Sequence, residues 1–179
     1  MNATQKSDDS APLTTECFTR SGVALTIRPA FPADKPLLQD FFKHVGADDL
    51  RFRFLTTVRR VDDARVDELC TVDIPRTITF LALHGNLLVA IGTLAGDPAA
   101  RKAEVALTTR PDWKHQGVSW TLLEHLINFA RAHDYAEIVS IEAPDNAGAL
   151  GLERDMGFKL SLLAADGGEF VARKAILPS

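Results

Sequence analysis

The stretch from Ala103 to Leu126 constrains the architecture more than any other part of the chain. Glu104 to Thr109 reads as a β-strand, Arg110 to Gln116 as a tight polar and basic loop, and a helix opens at Gly117. The apolar stripe of that helix is Val118, Leu122, Leu126 and Ala130. A loop that feeds a helix N-terminus presents backbone N–H groups without intrahelical partners and the positive end of the helix dipole. An anion such as a phosphate is therefore expected there. Lys114 and His115 add positive charge beside it. Gly117 has no Cβ, so it tolerates positive φ and lets a ligand approach the main chain closely.

The run Lys114, His115, Gln116, Gly117, Val118, Ser119 resembles motif A of the GNAT superfamily of acyl-CoA-dependent N-acyltransferases. That signature is Gln or Arg, two residues, Gly, one residue, then Gly or Ala. This chain departs from it with Lys at 114 and Ser at 119. A second match stands at the proper distance. Asn146, Ala149, Leu152, Gly157 and Phe158 resemble the family's motif B, whose tyrosine position is held here by Glu153. The resemblance implies an α/β (α+β) fold, a mixed and mostly antiparallel sheet of about six to seven strands flanked by helices and splayed at its central strand. It also implies acetyl-CoA as co-substrate, with no metal. The residues it assigns to the cofactor are Leu107 and Thr109 through their main chain, then Lys114, His115, Gln116, Gly117, Val118, Ser119, Trp120, Asn146 and Ala149.

The remaining elements follow from local signals. Residues 1–21 are polar and aperiodic and are expected to be a disordered extension ahead of a GNAT domain at 22–179. Val23 to Arg28 alternates as a strand. Asp34 is placed to cap a helix carrying Leu37, Leu38, Phe41 and Phe42, with Gly46 at its end. A short helix holds Leu50, Phe52 and Phe54, and Asp62 caps a third bearing Val66, Leu69 and Cys70. Thr77 to Ala95 reads as a hairpin about Gly85-Asn86. Its second arm is almost wholly apolar and so covered on both faces. Strands at Glu137–Glu142, Phe158–Leu163 and Glu169–Lys174 follow, with a helix starting at Asp145 or Asn146 between the first two.

Composition sets limits on partners. Twenty Lys plus Arg against 24 Asp plus Glu gives a net charge of −4, so no basic field advertises nucleic acid. Two well-separated cysteines form no disulfide framework, and no apolar run reaches the ~20 residues of a membrane helix. A cytoplasmic protein, monomeric or homodimeric, is expected. His44, His84, His125 and His133 are scattered without metal-ligand spacing.

Acyl transfer to an amine needs a base, because an unperturbed lysine amine has a pKa of about 10.4. The resemblance points to Glu104, at the start of the central strand, as the catalytic residue. This role calls for burial that raises its carboxyl toward neutrality. The alternative is a solvated glutamate paired with Lys102 or Arg101. Glu153 is expected on an exposed helix face, and Tyr135, the one tyrosine, in a structural role. Trp113 and Trp120 are expected to pack the loop and helix, and Asn146 to cap its helix. Leu50, Arg53 and Phe54 match the Leu-Tyr-x-Arg-Phe segment of bacterial protein acetyltransferases that silence acyl-CoA synthetases, while the tyrosine does not match, Arg51 standing in its place. The resemblance therefore implies an acceptor lysine on a protein such as an acyl-CoA synthetase. A small amine acceptor, or a non-catalytic acyl-CoA sensor, remains the alternative.

Overall fold

The computed structural model describes residues 13–55, 60–163 and 168–176. In chain order the elements are β1 (Thr15–Phe18), β2 (Ala24–Pro29), α1 (Lys35–Lys43), α2 (Ala47–Phe54), α3 (Asp63–Leu69), β3 (Thr77–His84) and β4 (Leu87–Asp97). They continue with β5 (Lys102–Thr109), α4 (Val118–Ala132), β6 (Glu137–Glu142), α5 (Ala147–Asp155), β7 (Lys159–Leu162) and β8 (Phe170–Ala175). Among the described residues the strands form one eight-stranded sheet in the order β1-β2-β3-β4-β5-β6-β8-β7. Every neighbouring pair is antiparallel except β5 and β6.

The hairpin of β3 and β4 is the spine of the sheet, and its two-residue turn is Gly85-Asn86 with Gly85 at φ 58°. Both strands are apolar on both faces because helices cover both. Ile78, Phe80, Val89 and Leu94 pack with Leu122, Leu126 and Phe129 of α4 on one side. Leu81, Leu88 and Ile91 pack with Leu38 and Phe41 of α1 and Val66 and Leu69 of α3 on the other. Each such side chain contributes about 1.5–3 kcal/mol when fully buried. Two caps form as expected, the Asp62 carboxylate accepting from Arg65 N at 3.0 Å and Asn146 Oδ1 from Ala149 N at 3.4 Å, whereas Asp34 precedes α1 without capping it because its carboxylate is held by Arg28 at 2.7 Å.

Two expectations change. The stretch read as a disordered extension contains β1, which pairs with β2 from Thr15↔Ile27 to Phe18↔Ala24. Only half of β1 is shielded, and four residues carry too little pattern to announce a strand; the ladder offered by β2 supplies the missing order. Residues 1–12 lie outside the described residues. The second arm of the hairpin also runs past its expected end at Ala95, since β4 continues through Gly96 and Asp97.

The sheet opens at one place. β5 and β6 pair only at Lys102↔Glu137, Ala103↔Ile138 and Glu104↔Val139. Beyond these, Val105 to Thr109 stay with β4 while Ser140 to Glu142 stay with β8. The two strands diverge, and the gap between them is the expected splay.

Tyr135 braces the closed end of the sheet. It is fully buried, its hydroxyl donates to the Pro75 carbonyl at 2.8 Å, and its ring lies against Gly96 where any Cβ would collide with it. Because the neighbour is a rigid ring held by a hydrogen bond, Gly96→Ala should destabilise the fold by about 1–3 kcal/mol. A urea midpoint equal to that of the wild type would contradict this packing.

Candidate functional site

The free edge of β5 and the N-terminus of α4 border a cleft of about 600 Å³. Gly117 sits at the corner with φ 78°, a backbone conformation that only glycine adopts without strain. No side chain caps α4, and the first turn closes with Thr121 N donating to Gly117 O at 3.0 Å. The N–H groups that open the helix therefore meet the cleft, where Val118, Ser119 and Trp120 lie. From Glu104 to Thr109 the open strand spans roughly 16 Å.

The loop is held from outside. Gln116 Nε2 donates to Asp112 O at 3.0 Å, and Gln116 O accepts from Ser21 Oγ at 2.6 Å. Thr19, in the turn between β1 and β2, packs against Gly117. Thr19 and Ser21 of the N-terminal stretch thus buttress the helix opening. Of the residues assigned to the cofactor, Leu107, Thr109, Lys114, His115, Gly117, Val118, Ser119, Trp120, Asn146 and Ala149 all line the cleft. Gln116 does not, because its side chain is committed to the loop. Ser119 does not block the cradle: its hydroxyl is tied to Thr109 Oγ1 at 2.9 Å.

Helix α2 lies across the cleft and is tethered at both sides. Lys114 Nζ pairs with Asp49 Oδ1 at 2.6 Å, and Arg51 pairs with Asp145 Oδ2 at 2.6 Å. These pairs are partly exposed and screened by water, so each holds α2 only weakly. Trp120 lines the cleft and carries the Arg20 guanidinium 3.9 Å above its ring.

Beyond Leu107 the cleft narrows into a recess of about 90 Å³, lined by Glu104, Arg53, Glu142 and Glu153 among others. Leu107, Asn146, Ala149 and Leu152 border both spaces. Glu104 is the last residue of β5 to pair with β6, so it marks the apex of the splay. It is exposed, contrary to the burial expected of it, because α2 and α5 close over the neighbouring carboxylates and leave this one facing solvent. The Arg53 guanidinium is enclosed. It donates to Thr93 Oγ1 at 2.8 Å, leaves Nε without a partner, and has its pKa pushed down to about 10 by desolvation, against the opposing pull of Glu104 and Glu142. It remains a cation at neutral pH.

Glu153 reverses its expected placement. It is 3% exposed, turned inward rather than out to solvent. The helical spacing Asn146, Ala149, Glu153 puts it on the same face as two cleft residues, and that periodicity was the signal to be read. Glu142, on β6, is 8% exposed and accepts from Ser140 Oγ and Asn146 Nδ2, each at 2.7 Å. Desolvation, then the charge of Glu142, pushes the Glu153 carboxyl up to about 8, and desolvation raises Glu142 as well. Asp49, Phe52, Arg53, Glu142 and Asp145 also line these spaces without having been singled out as site residues, since only the fold brings α2 and β6 to them.

The model of the acetyltransferase (GNAT) family matches residues 47–158. The chain belongs to that family. The acetyltransferase PA5475 of Pseudomonas aeruginosa is 27% identical over 141 residues, 76% of each chain. Among solved structures, the GNAT domain of S. lividans PAT superposes with a TM-score of 0.86 at 20% identity, covering 93% of this chain and 99% of that one. Salmonella typhimurium yncA, solved with its cofactor acetyl-CoA, superposes at 0.68 with 18% identity over 85% of this chain and 94% of that one. A cAMP-binding acyltransferase from Mycobacterium smegmatis gives 0.62 at 19% identity, covering 93% of this chain but 48% of the other.

This GNAT acetyltransferase uses acetyl-CoA, and its cleft fits that molecule. Uncapped helix amides and Lys114 are suited to the phosphates, and the unpaired edge of β5 to an extended amide-bearing arm. Among the described residues, no helix is long and apolar enough to cross a membrane.

The carboxyl pair makes stability depend on pH. Glu153 ionises near 4.5 in the unfolded chain and near 8 in the folded protein, so the folded state holds the extra proton between those values. Stability is therefore expected to fall as pH rises from about 4.5 through 8. Glu153→Gln should flatten that slope and stabilise the protein at pH 8, on the order of 2–4 kcal/mol. Urea denaturation across this range checks it; parallel pH profiles for the two proteins would contradict it.

Proposed function

We propose that this enzyme transfers the acetyl group of acetyl-CoA to the side-chain amine of a protein lysine, with Glu104 as the base. The observation that carries the reading is the position of Glu104. It stands at the apex of the splay, exposed, at the far end of the open strand from the phosphate-binding amides. A carboxylate there is reachable by an amine that arrives from solvent, and accepts its proton directly or through a water. Bound acetyl-CoA supplies the acetyl group as a thioester, whose leaving group is a thiolate. Residues Val105 to Thr109 have lost β6, so their main-chain groups on that side are free to orient the donor and to stabilise negative charge on its carbonyl oxygen.

Three further features support a lysine. The recess of about 90 Å³ admits the tip of one slender side chain rather than a whole metabolite, and its carboxylates favour a cationic approach. The segment Leu50, Arg53 and Phe54 resembles bacterial protein acetyltransferases, and here Arg53 and Phe52 of that segment line the recess itself. The GNAT domain of S. lividans PAT shares the fold over almost its full length. Cys17 and Cys70 are both free thiols, which suits a reducing cytoplasm.

Glu104→Gln should lower kcat on the order of 100-fold with lysine peptides while leaving CoA affinity unchanged. Labelled acetyl-CoA incubated with a cell lysate and the wild-type enzyme should mark lysine Nε atoms of proteins. Label confined to small amines would contradict the acceptor, and a fully active Glu104→Gln would contradict the base.

A further inference from the structure

The recess at the deep end of the cleft holds more acid than one base requires. Facing it, among the described residues, are Glu104 from β5, Glu142 from β6, Glu153 from α5 and Arg53 from α2. Arg53 feels the charges of Glu104 and Glu142 without pairing directly with either, its hydrogen bond going to Thr93 Oγ1, and among the described residues no cation pairs with Glu153. Glu142 has two donors, Ser140 Oγ and Asn146 Nδ2, which favour its ionised form. Ser140 also favours the ionised form of Glu153, but burial and the charge of Glu142 outweigh it, and among the described residues Glu153 Oε2 has no hydrogen-bond partner although the residue is only 3% exposed. Two carboxyls in contact in such a site do not both ionise; one proton stays between them. The donors around Glu142 leave that proton on Glu153.

We infer that Glu153 is the acid that delivers a proton to the thiolate leaving at the deep end of the cleft, with Glu142 holding it in place as a positioning residue. The inference rests on the reading of the cleft as the acetyl-CoA site. A ligand whose phosphates rest at the start of α4 and whose arm follows β5 ends at Leu107, Asn146 and Ala149, which border the recess containing Glu153. The other tyrosine-like source of a proton is excluded: the Tyr135 hydroxyl is buried and committed to the Pro75 carbonyl. The step balances as follows. The amine nitrogen forms the new C–N bond with its lone pair, the C–S bond breaks with its pair remaining on sulfur, and sulfur takes the proton of Glu153. The surplus amine proton passes to Glu104 and then to solvent, from which Glu153 is protonated again. Thioester and amine become amide and thiol.

The test is carbon-13 NMR of the glutamate carboxyls in the whole protein, paired with kinetics of Glu153→Gln. Wild type should show one glutamate titrating near pH 8 that the variant lacks. CoA should move that midpoint, and desulfo-CoA, which lacks the sulfur, should leave it in place. Glu153→Gln should bind CoA as well as wild type, lose kcat on the order of 100-fold, and lose the fall in kcat on the alkaline side. Titration of every glutamate below pH 6 would overturn the inference. So would an equal response to CoA and desulfo-CoA, or a variant that keeps the wild-type alkaline limb. If wild type shows the sulfur-specific response yet acetylates no lysine peptide, the acceptor reading fails and this inference stands.

Discussion

Everything that this protein does with a ligand depends on two parallel strands parting company after three paired residues. β5 and β6 are joined at Glu104↔Val139 and no further, yet each remains fully laddered on its other side. A sheet edge created inside a sheet is costly unless its N–H and C=O groups find partners. Helices α2 and α5 cover part of the gap, and the remainder faces a cleft about 600 Å³ in volume. The backbone that a β6 extension would have paired is left for a ligand, already rigid and oriented by β4.

Electrostatics divide this cleft into two ends. At the end proposed for the phosphates, amides that no side chain caps among the described residues and Lys114 concentrate positive potential, and Asp49 forms a partly exposed ion pair with Lys114. At the other end, three carboxyls and one arginine meet in a small recess. Enclosure separates their roles. Glu104 stays in contact with solvent, while Glu153 is driven to hold its proton. Burial rather than residue type sets which of these carboxyls holds a proton. Helix α2 joins the two ends, since Asp49 pairs with Lys114 and Arg53 lines the recess with the carboxyls.

The parts of this arrangement that were legible in the sequence are those governed by local chemistry. Gly85-Asn86 demanded a primed turn, Gly117 a positive φ, Asp62 and Asn146 supplied caps, and the apolar run of β4 required cover on both faces. The cleft residues from Leu107 to Trp120 follow from a strand, a loop and a helix in succession. What escaped depends on which surfaces meet. β1 exists because β2 offers it a ladder, and nothing in four half-shielded residues signals that. Arg53 reads equally well as a surface arginine until α2 is laid across the splay. Glu153 reads as an outward residue because glutamate usually faces water, yet its spacing from Asn146 and Ala149 turns it inward.

The central claim, that the parted strand and the uncapped helix together form the acetyl-CoA site, is tested most directly by amide hydrogen exchange with and without acetyl-CoA. The account predicts slowed exchange at Val118, Ser119 and Trp120 and at those amides of Val105–Thr109 that point away from β4. Unchanged exchange at both places, with protection appearing elsewhere on the sheet, would contradict it.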